Sequence, residues 1–187
     1  MKKLALFASG TGSNVKNIIS YFKNTSEIFI DCVISNKMDA GALNHARKAD
    51  ISSFVYSKTD LESGVVTEKL IERGVTHIVL AGFLLKIPSN LINRYPKQII
   101  NVHPSLLPKY GGAGMYGMNV HRAVVAAGEV KSGISIHLVN EIYDDGEILA
   151  QFEVEIDMYD SPEKVAAKVQ ELEQLHFPKV IENYLNK

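Results

Sequence analysis

Short apolar runs alternate along the chain with segments in which apolar residues recur at helical spacing. Runs rich in Val and Ile are typical of buried strands, whereas a period near 3.6 residues indicates helices that pack on a sheet. The pattern predicts strands over residues 4–8, 28–34, 53–56, 77–81, 98–102, 133–139 and 148–154. It predicts helices over residues 14–23, 40–49, 64–73, 90–95, 119–128 and 162–185, and Pro178 is expected to kink or split the last of these.

The order of the elements predicts the fold class. Alternation of strands and helices over residues 1–102 predicts an α/β protein with a Rossmann-like, mostly parallel twisted sheet flanked by helices. Two strands on either side of a turn at residues 143–146 predict that the sheet becomes mixed toward its C-terminal strands. No repeat, linker or low-complexity segment interrupts the pattern, so we expect one domain over residues 1–187.

Composition narrows the class of function. The chain has 187 residues, 46% hydrophobic and 22% charged, and its net charge of −1 gives no electrostatic basis for binding nucleic acid or an anionic membrane. It has no 18-residue apolar stretch and no signal-peptide pattern, so we expect a cytoplasmic protein. Cys32 lies in an apolar run and is predicted to be a structural thiol. The six histidines lack HxxxH and HExxH spacing, so we expect no metal site.

A glycine-containing loop, Ser9-Gly10-Thr11-Gly12-Ser13-Asn14, joins the first strand to the first helix. Two interpretations stay open: backbone N–H groups at the helix N-terminus bind a phosphate, or the loop is a tight turn with Ser13 as the N-cap. Val15 stands where a dinucleotide fingerprint has its third glycine, and no Gly-Lys-Ser/Thr follows. A phosphate monoester is therefore favoured over a dinucleotide or a nucleoside triphosphate.

Asn101 and His103 end the apolar run that precedes Pro104. Residues two apart on a strand share a face, so an amide donor and a titratable imidazole point the same way, as in a site that polarises a carbonyl. Ser135 and His137 have the same spacing, either as part of the site or as hydrogen-bonded strand residues. Asp144 and Asp145 lie in the predicted turn. Either both serve only to form that turn, or the carboxylate of one of them reaches His103.

Several separated segments together resemble the phosphoribosylglycinamide formyltransferases, folate-dependent enzymes of purine synthesis. They are residues 10–14, 34–37, 80–83, 101–110 (Asn-Val-His-Pro-Ser-Leu-Leu-Pro-Lys-Tyr), 135–137 and 144–146. The resemblance implies a formyltransferase fold and transfer of a formyl group from 10-formyltetrahydrofolate, as cosubstrate, to the amine of 5-phosphoribosylglycinamide, without a metal. It also implies small-molecule substrates as the partners, in a monomer or homodimer.

The resemblance assigns roles residue by residue. It implies a catalytic trio in which Asn101 and a protonated His103 donate to the formyl oxygen while Asp144 keeps His103 charged. Direct transfer is expected, because no residue offers itself as a covalent nucleophile. The other implied sites are the substrate phosphate loop (Gly12, Ser13, Asn14), a substrate contact (Glu173), the folate pocket (Leu84, Leu85, Lys86, Ile87, Asn140, Glu141) and possible support residues (Ser135, His137).

The chain departs from the family pattern at three places. Residues 111–117 form a longer, glycine-rich stretch, and Asp145 replaces a glycine. No arginine lies between Arg47 and Arg73 to meet the folate glutamate tail, so Lys58 or Lys69 is the candidate replacement. Two alternatives remain at this point: a formyltetrahydrofolate hydrolase-like enzyme, and a non-catalytic module that binds folate or nucleotide.

Overall fold

The structure is a computed structural model that describes residues 1–187. Its strands are β1 Lys2–Phe7, β2 Ile28–Ser35, β3 Ser52–Val55, β4 His77–Leu80, β5 Ile99–His103, β6 Lys131–Leu138 and β7 Ile148–Glu155. Its helices are α1 Ser13–Phe22, α2 Gly41–Lys48, α3 Lys58–Ser63, α4 Val65–Glu72, α5 Ser89–Arg94, α6 Met118–Ala126 and α7 Pro162–Leu185. Every predicted strand and helix is present, and the sequence pattern missed only α3.

The strands form a seven-stranded sheet in the order β3-β2-β1-β4-β5-β6-β7. The pairs β1–β2, β1–β4 and β2–β3 are parallel, whereas β6 and β7 are antiparallel. The predicted mostly parallel α/β sheet with a mixed C-terminal edge is therefore confirmed. Residues 1–100 and 101–187 form two compact units. The single domain over residues 1–187 stays a prediction.

The first unit is built on β1, whose residues Leu4 to Phe7 are fully buried. Such a continuous apolar run is expected for a parallel strand covered on both faces. Beside it, the buried Asp31 pairs with Arg73, with Nε 2.5 Å from Oδ2, and with Lys3 Nζ at 3.6 Å. Cys32 is buried, and burial raises the pKa of its thiol to about 12, consistent with the predicted structural role.

The short helix α3 has a start signal but no periodicity. The Ser57 side chain accepts from the N–H of Asp60 while the Asp60 carboxylate accepts from the N–H of Ser57, which is a capping box. Only Leu61 of this six-residue helix is buried, so no apolar repeat marks it. A Ser-x-x-Asp pattern was therefore the one readable sign of α3.

The second unit is built on β6, which is buried from Ser132 to Leu138, and on α7, which contacts β6, β7 and α6. The helix α7 continues through Pro178, so the predicted split is wrong. Proline removes one N–H from the helix, but Pro178 itself is buried, and so are Phe177, Ile181 and Leu185 around and beyond it. Their burial against the rest of the unit keeps the last turns helical. None of the helices combines the length and the apolar character that a membrane-spanning segment needs.

Candidate active site

The end of β5 brings polar side chains together with β6 and the β6–β7 loop. Asn101 Nδ2 lies 3.0 Å from His137 Nε2, and His137 Nδ1 lies 2.9 Å from the Leu138 carbonyl oxygen. The Asp144 carboxylate lies between two imidazoles, with Oδ2 3.5 Å from His103 Nδ1 and Oδ1 3.6 Å from His137 Nε2. Asn101, His103, His137 and Asp144 thus form one cluster, and both histidines are almost fully buried.

Backbone acceptors fix the protonation sites of the two rings. Because a carbonyl only accepts, His137 carries a proton on Nδ1, and its Nε2 accepts from the Asn101 amide. His103 Nε2 lies 2.8 Å from the Tyr110 carbonyl oxygen and therefore carries the proton when the ring is neutral. The second N–H of Asn101 and the Nδ1 lone pair of His103 are then the groups left for chemistry.

The glycine-rich stretch after Tyr110 contacts the Asp144 carboxylate. The Gly112 N–H donates to Asp144 Oδ2 over 2.9 Å, and Gly112 has φ 94°, a conformation that favours glycine. Tyr110 and Asp144 also have positive φ, 56° and 54°. Left-handed backbone at non-glycine residues costs about 1–2 kcal/mol, and such strain clusters at functional sites. Gly112 therefore helps to position Asp144, which the sequence pattern did not reveal.

Ser135 holds the segment that follows β5. It is fully buried, its Oγ donates to the Ser105 carbonyl over 2.7 Å and accepts from the Leu107 N–H over 2.9 Å. Gln151 Nε2 also lies 2.8 Å from this Oγ and 2.9 Å from the Leu107 carbonyl. Ser135 thus fixes the loop that follows β5, and it is not itself a member of the cluster. Gln151 was not predicted, because it sits on an otherwise ordinary edge strand.

The electrostatic state of His103 differs from the expectation. Burial lowers the pKa of His103, and the Asp144 carboxylate and the Tyr110 carbonyl counteract burial only in part. The lowered pKa favours the neutral ring in the chain without ligands, whereas the resemblance implied a protonated His103 held charged by Asp144. Burial alone would raise the pKa of Asp144, but the two histidine rings and the Gly112 N–H outweigh it, so that pKa lies below its usual range.

The glycine loop forms the start of α1 in the first unit. Gly12, with φ 79°, is the N-cap, and Ser13 and Asn14 are the first two helical residues. The interpretation of Ser13 as N-cap is therefore wrong. The first backbone bond of the helix runs from Lys16 N–H to the Gly12 carbonyl. The backbone N–H groups of a helix's first turn point out of its N-terminus, which is the arrangement that anion sites at helix N-termini use.

The predicted folate segment 84–87 lies after β4 in the same unit. Leu84 and Lys86 are exposed, whereas Ile87 is buried. The Leu84 N–H donates to Ser9 Oγ over 2.9 Å, and that hydroxyl donates to Asn36 Oδ1 over 2.5 Å. Ser9 thus links the ends of three strands, a role that one serine in a turn sequence did not predict.

The other predicted residues take ordinary local positions. Asn140 Oδ1 accepts from the Ile142 N–H, and Glu141 is exposed. Glu173 lies half-buried on α7. Lys58 and Lys69 form exposed ion pairs with Glu62 and Glu72 on their own helices. No group of three or more His, Cys, Asp or Glu side chains is arranged to hold a metal ion.

This chain is similar to known proteins in sequence. A family model described as formyl transferase matches residues 2–181. The chloroplastic phosphoribosylglycinamide formyltransferase of Arabidopsis thaliana is 41% identical over 175 residues, which covers 90% of this chain and 60% of the plant protein. The phosphoribosylglycinamide formyltransferase of Haemophilus influenzae is 36% identical over 187 residues, which covers 97% of this chain and 86% of that protein.

It is also similar in structure. The phosphoribosylglycinamide formyltransferase from Bacillus halodurans superposes with a TM-score of 0.89 at 28% identity, covering 100% of this chain and 96% of that one. The chain spans 60% of the length of the two plant relatives it matches. The chain belongs to the formyl transferase family and, within it, to the phosphoribosylglycinamide formyltransferases.

Proposed function

We propose that this protein transfers the formyl group of 10-formyltetrahydrofolate to the primary amine of 5-phosphoribosylglycinamide, a step of de novo purine biosynthesis. The observation that carries the proposal is the cluster in which Asp144 contacts both His103 and His137 while His137 holds Asn101. Membership of the family supports the same reaction.

Asn101 is the proposed donor to the formyl oxygen. The amine attacks the formyl carbon, a C–N bond forms, and negative charge develops on that oxygen. One Asn101 N–H is directed at His137 Nε2, which leaves the second N–H for the oxyanion. Removing a donor of this kind typically costs about 2–3 orders of magnitude in kcat.

His103 and Asp144 are the proposed proton carriers. A neutral His103 takes up the proton that the attacking nitrogen loses, and it delivers that proton to N10 as the C–N10 bond breaks. Asp144, whose pKa lies below its usual range, stays ionised and stabilises the imidazolium. The negative charge of the oxyanion then favours the imidazolium form of His103 more strongly than the resting site does. Stabilisation that is larger in the transition state than in the resting site accelerates the reaction.

Direct transfer is favoured over a formyl-enzyme intermediate. The Cys32 thiol is buried and its pKa is about 12, so it supplies no thiolate near pH 7. The Ser105 hydroxyl donates to the Lys109 carbonyl over 2.6 Å, and a carbonyl cannot act as its base. No activated nucleophile therefore accompanies the cluster.

Binding is assigned to the predicted loops. We place the substrate phosphate at the backbone N–H groups of residues 12–14, with Glu173 as a contact to the glycinamide. We place the folate against residues 84–87 together with Asn140 and Glu141. Lys58 and Lys69 remain the candidates to bind the glutamate tail of the folate. Each must first give up its ion pair with a glutamate of its own helix.

The test is an assay of purified protein with both substrates, in which tetrahydrofolate and the formylated amine are measured together. We expect the two products in equal amounts, and none when the amine is omitted. Release of formate without the amine would instead show a hydrolase. His103→Asn should bind both substrates with almost no turnover, and it controls for contaminating activity.

Two further properties remain proposals of the same kind. We expect a monomer or a homodimer, which sedimentation will distinguish. We also expect the protein in the cytoplasm, which fractionation of the source cells will test.

A further inference from the structure

Glu129 holds the residue whose carbonyl faces His103. Its Oε1 accepts from Tyr110 Oη over 2.9 Å and from Lys109 Nζ over 2.7 Å. Glu129 follows α6, 19 residues beyond Tyr110, and its side chain is only 25% exposed. One carboxylate oxygen thus anchors two successive residues of the loop that leaves the Asn-x-His-Pro segment.

Tyr110 needs such an anchor. Its backbone has φ 56°, a left-handed conformation that a tyrosine adopts only at a cost. In that conformation its carbonyl oxygen lies 2.8 Å from His103 Nε2. The phenol at one end of the residue is bonded to Glu129, and the carbonyl at the other end accepts from the histidine.

We propose that Glu129 and the Tyr110 hydroxyl are positioning groups for His103. They hold the Tyr110 carbonyl where it fixes the imidazole ring and, when that ring is neutral, keeps its one proton on Nε2. The Nδ1 lone pair then faces Asp144, which lies 3.5 Å away. Neither Glu129 nor the phenol touches the cluster, so both act through the Tyr110 backbone. The catalytic consequence rests on the proposed function, whereas the effect on the ring does not.

Four groups act on the His103 charge from the elements around it. Asp144 and the Tyr110 carbonyl favour the imidazolium, while His137 on β6 and His121 on α6 are positive when protonated and oppose it. When the anchor is broken, the Tyr110 carbonyl is no longer held against His103, so one of the two groups that favour the imidazolium is lost. The titration midpoint of His103 should therefore move to lower pH when the anchor is broken.

The experiment compares Glu129→Ala and Tyr110→Phe with two controls. Glu129→Gln keeps an oxygen that accepts from Tyr110 Oη and should restore wild-type behaviour. Glu153→Ala breaks a different exposed ion pair of the same unit, in which Lys131 Nζ lies 2.6 Å from Glu153 Oε1, and should change nothing. The His103 titration is followed by NMR of histidine-labelled protein, with the signal assigned from His103→Asn.

We expect Glu129→Ala and Tyr110→Phe to lower the His103 midpoint and to reduce kcat by about 3- to 10-fold with little change in KM, the scale of one lost hydrogen bond. An unchanged His103 midpoint in both variants would overturn the inference, as would equal damage from Glu129→Gln. If the wild-type protein lacks formyl transfer but the midpoint still moves, the proposed function fails and the positioning role stands.

Discussion

The amide nitrogen of Asn101 lies 3.0 Å from Nε2 of His137, 36 residues further along the chain. Because His137 Nδ1 is bonded to the Leu138 carbonyl, its Nε2 can only accept while the ring is neutral. The Asn101 amide is therefore oriented with its NH₂ group toward the cluster. His137 is an orienting residue in this geometry, and Asn101 is the donor.

That relationship predicts a non-additive double mutant. Asn101→Ala should lower kcat by about 2–3 orders of magnitude, the usual effect of losing an oxyanion donor. His137→Leu should cost about one order of magnitude, because the amide of Asn101 can then rotate. Since His137 orients Asn101 and also contacts Asp144, the double variant should be slower than Asn101→Ala by much less than the loss that His137→Leu causes alone. Steady-state kinetics of the four proteins test this, and multiplicative losses would contradict it.

The two adjacent aspartates should behave differently. Asp144 contacts both histidines and accepts from the Gly112 N–H, whereas Asp145 is exposed. Asp144→Asn keeps an acceptor for Gly112 but removes the charge, so we expect kcat to fall by about 100-fold or more. Asp145→Asn is the matched control and should stay within about 3-fold of wild type, since exposed substitutions seldom matter. Measurements of kcat from pH 5 to 9 decide it, and equal damage would remove Asp144 from its role.

Much of the fold could be predicted because its elements follow from local patterns of apolar residues. The apolar runs of β1, β2 and β5 are long enough to identify buried strands, and α7 shows its apolar stripe clearly. The helix α3 escaped because six residues with one buried leucine carry no period. The continuity of α7 through Pro178 escaped because tertiary packing, rather than local propensity, keeps those turns helical.

The site was predictable only where residue type implies chemistry. Asn101 and His103 could be paired from strand spacing alone, but their link to Asp144 crosses 41 residues and needed the family resemblance. Tyr110 and Gly112 contact the cluster through backbone groups, which every residue has, so their residue types gave no signal. The lowered pKa of His103 depends on burial, and burial of one strand end is not encoded in neighbouring residues.

Substitution by alanine should destabilise the protein at Gly12 but not at Gly10, although both glycines lie in the first loop. A Cβ on Gly12 would lie 2.5 Å from Ala42 Cα, and φ is 79° there, so Gly12→Ala combines overlap with left-handed strain. We expect it to lower the free energy of unfolding by about 2–4 kcal/mol. A Cβ on Gly10 would meet nothing within 4 Å, so Gly10→Ala should stay within about 1 kcal/mol of wild type. Urea unfolding measures both, and a stable Gly12→Ala would contradict the packing of this loop on α2.

The same pair also tests the proposed phosphate site. If the N–H groups at the start of α1 bind the substrate phosphate, folded Gly12→Ala should raise the KM for 5-phosphoribosylglycinamide more than it lowers kcat. The KM for the folate should change little, which separates loss of the anion site from general loss of folded protein. An unchanged KM for the phosphorylated substrate would remove the loop from the site.

His77 should make the fold sensitive to acid. It is buried at the start of β4, and burial, with Lys2 nearby, lowers its pKa from 6.5 to about 4. Thr76 Oγ1 donates to the Lys3 carbonyl, so the 2.9 Å contact with His77 Nδ1 requires a proton on that nitrogen. Between pH 6.5 and 4 the unfolded chain binds a proton that the folded chain does not, so the free energy of unfolding falls as the pH falls.

The contribution should reach about 3 kcal/mol by pH 4, the free energy that corresponds to this lowering of the pKa. His77→Gln removes the titrating group and keeps an N–H donor for Thr76, so its stability should decline less over the same range. Urea unfolding of both proteins at intervals from pH 7.5 to 4.5 measures the difference. Parallel curves would show that other groups, such as His103 and His121, whose pKa values burial also lowers, cause the acid sensitivity.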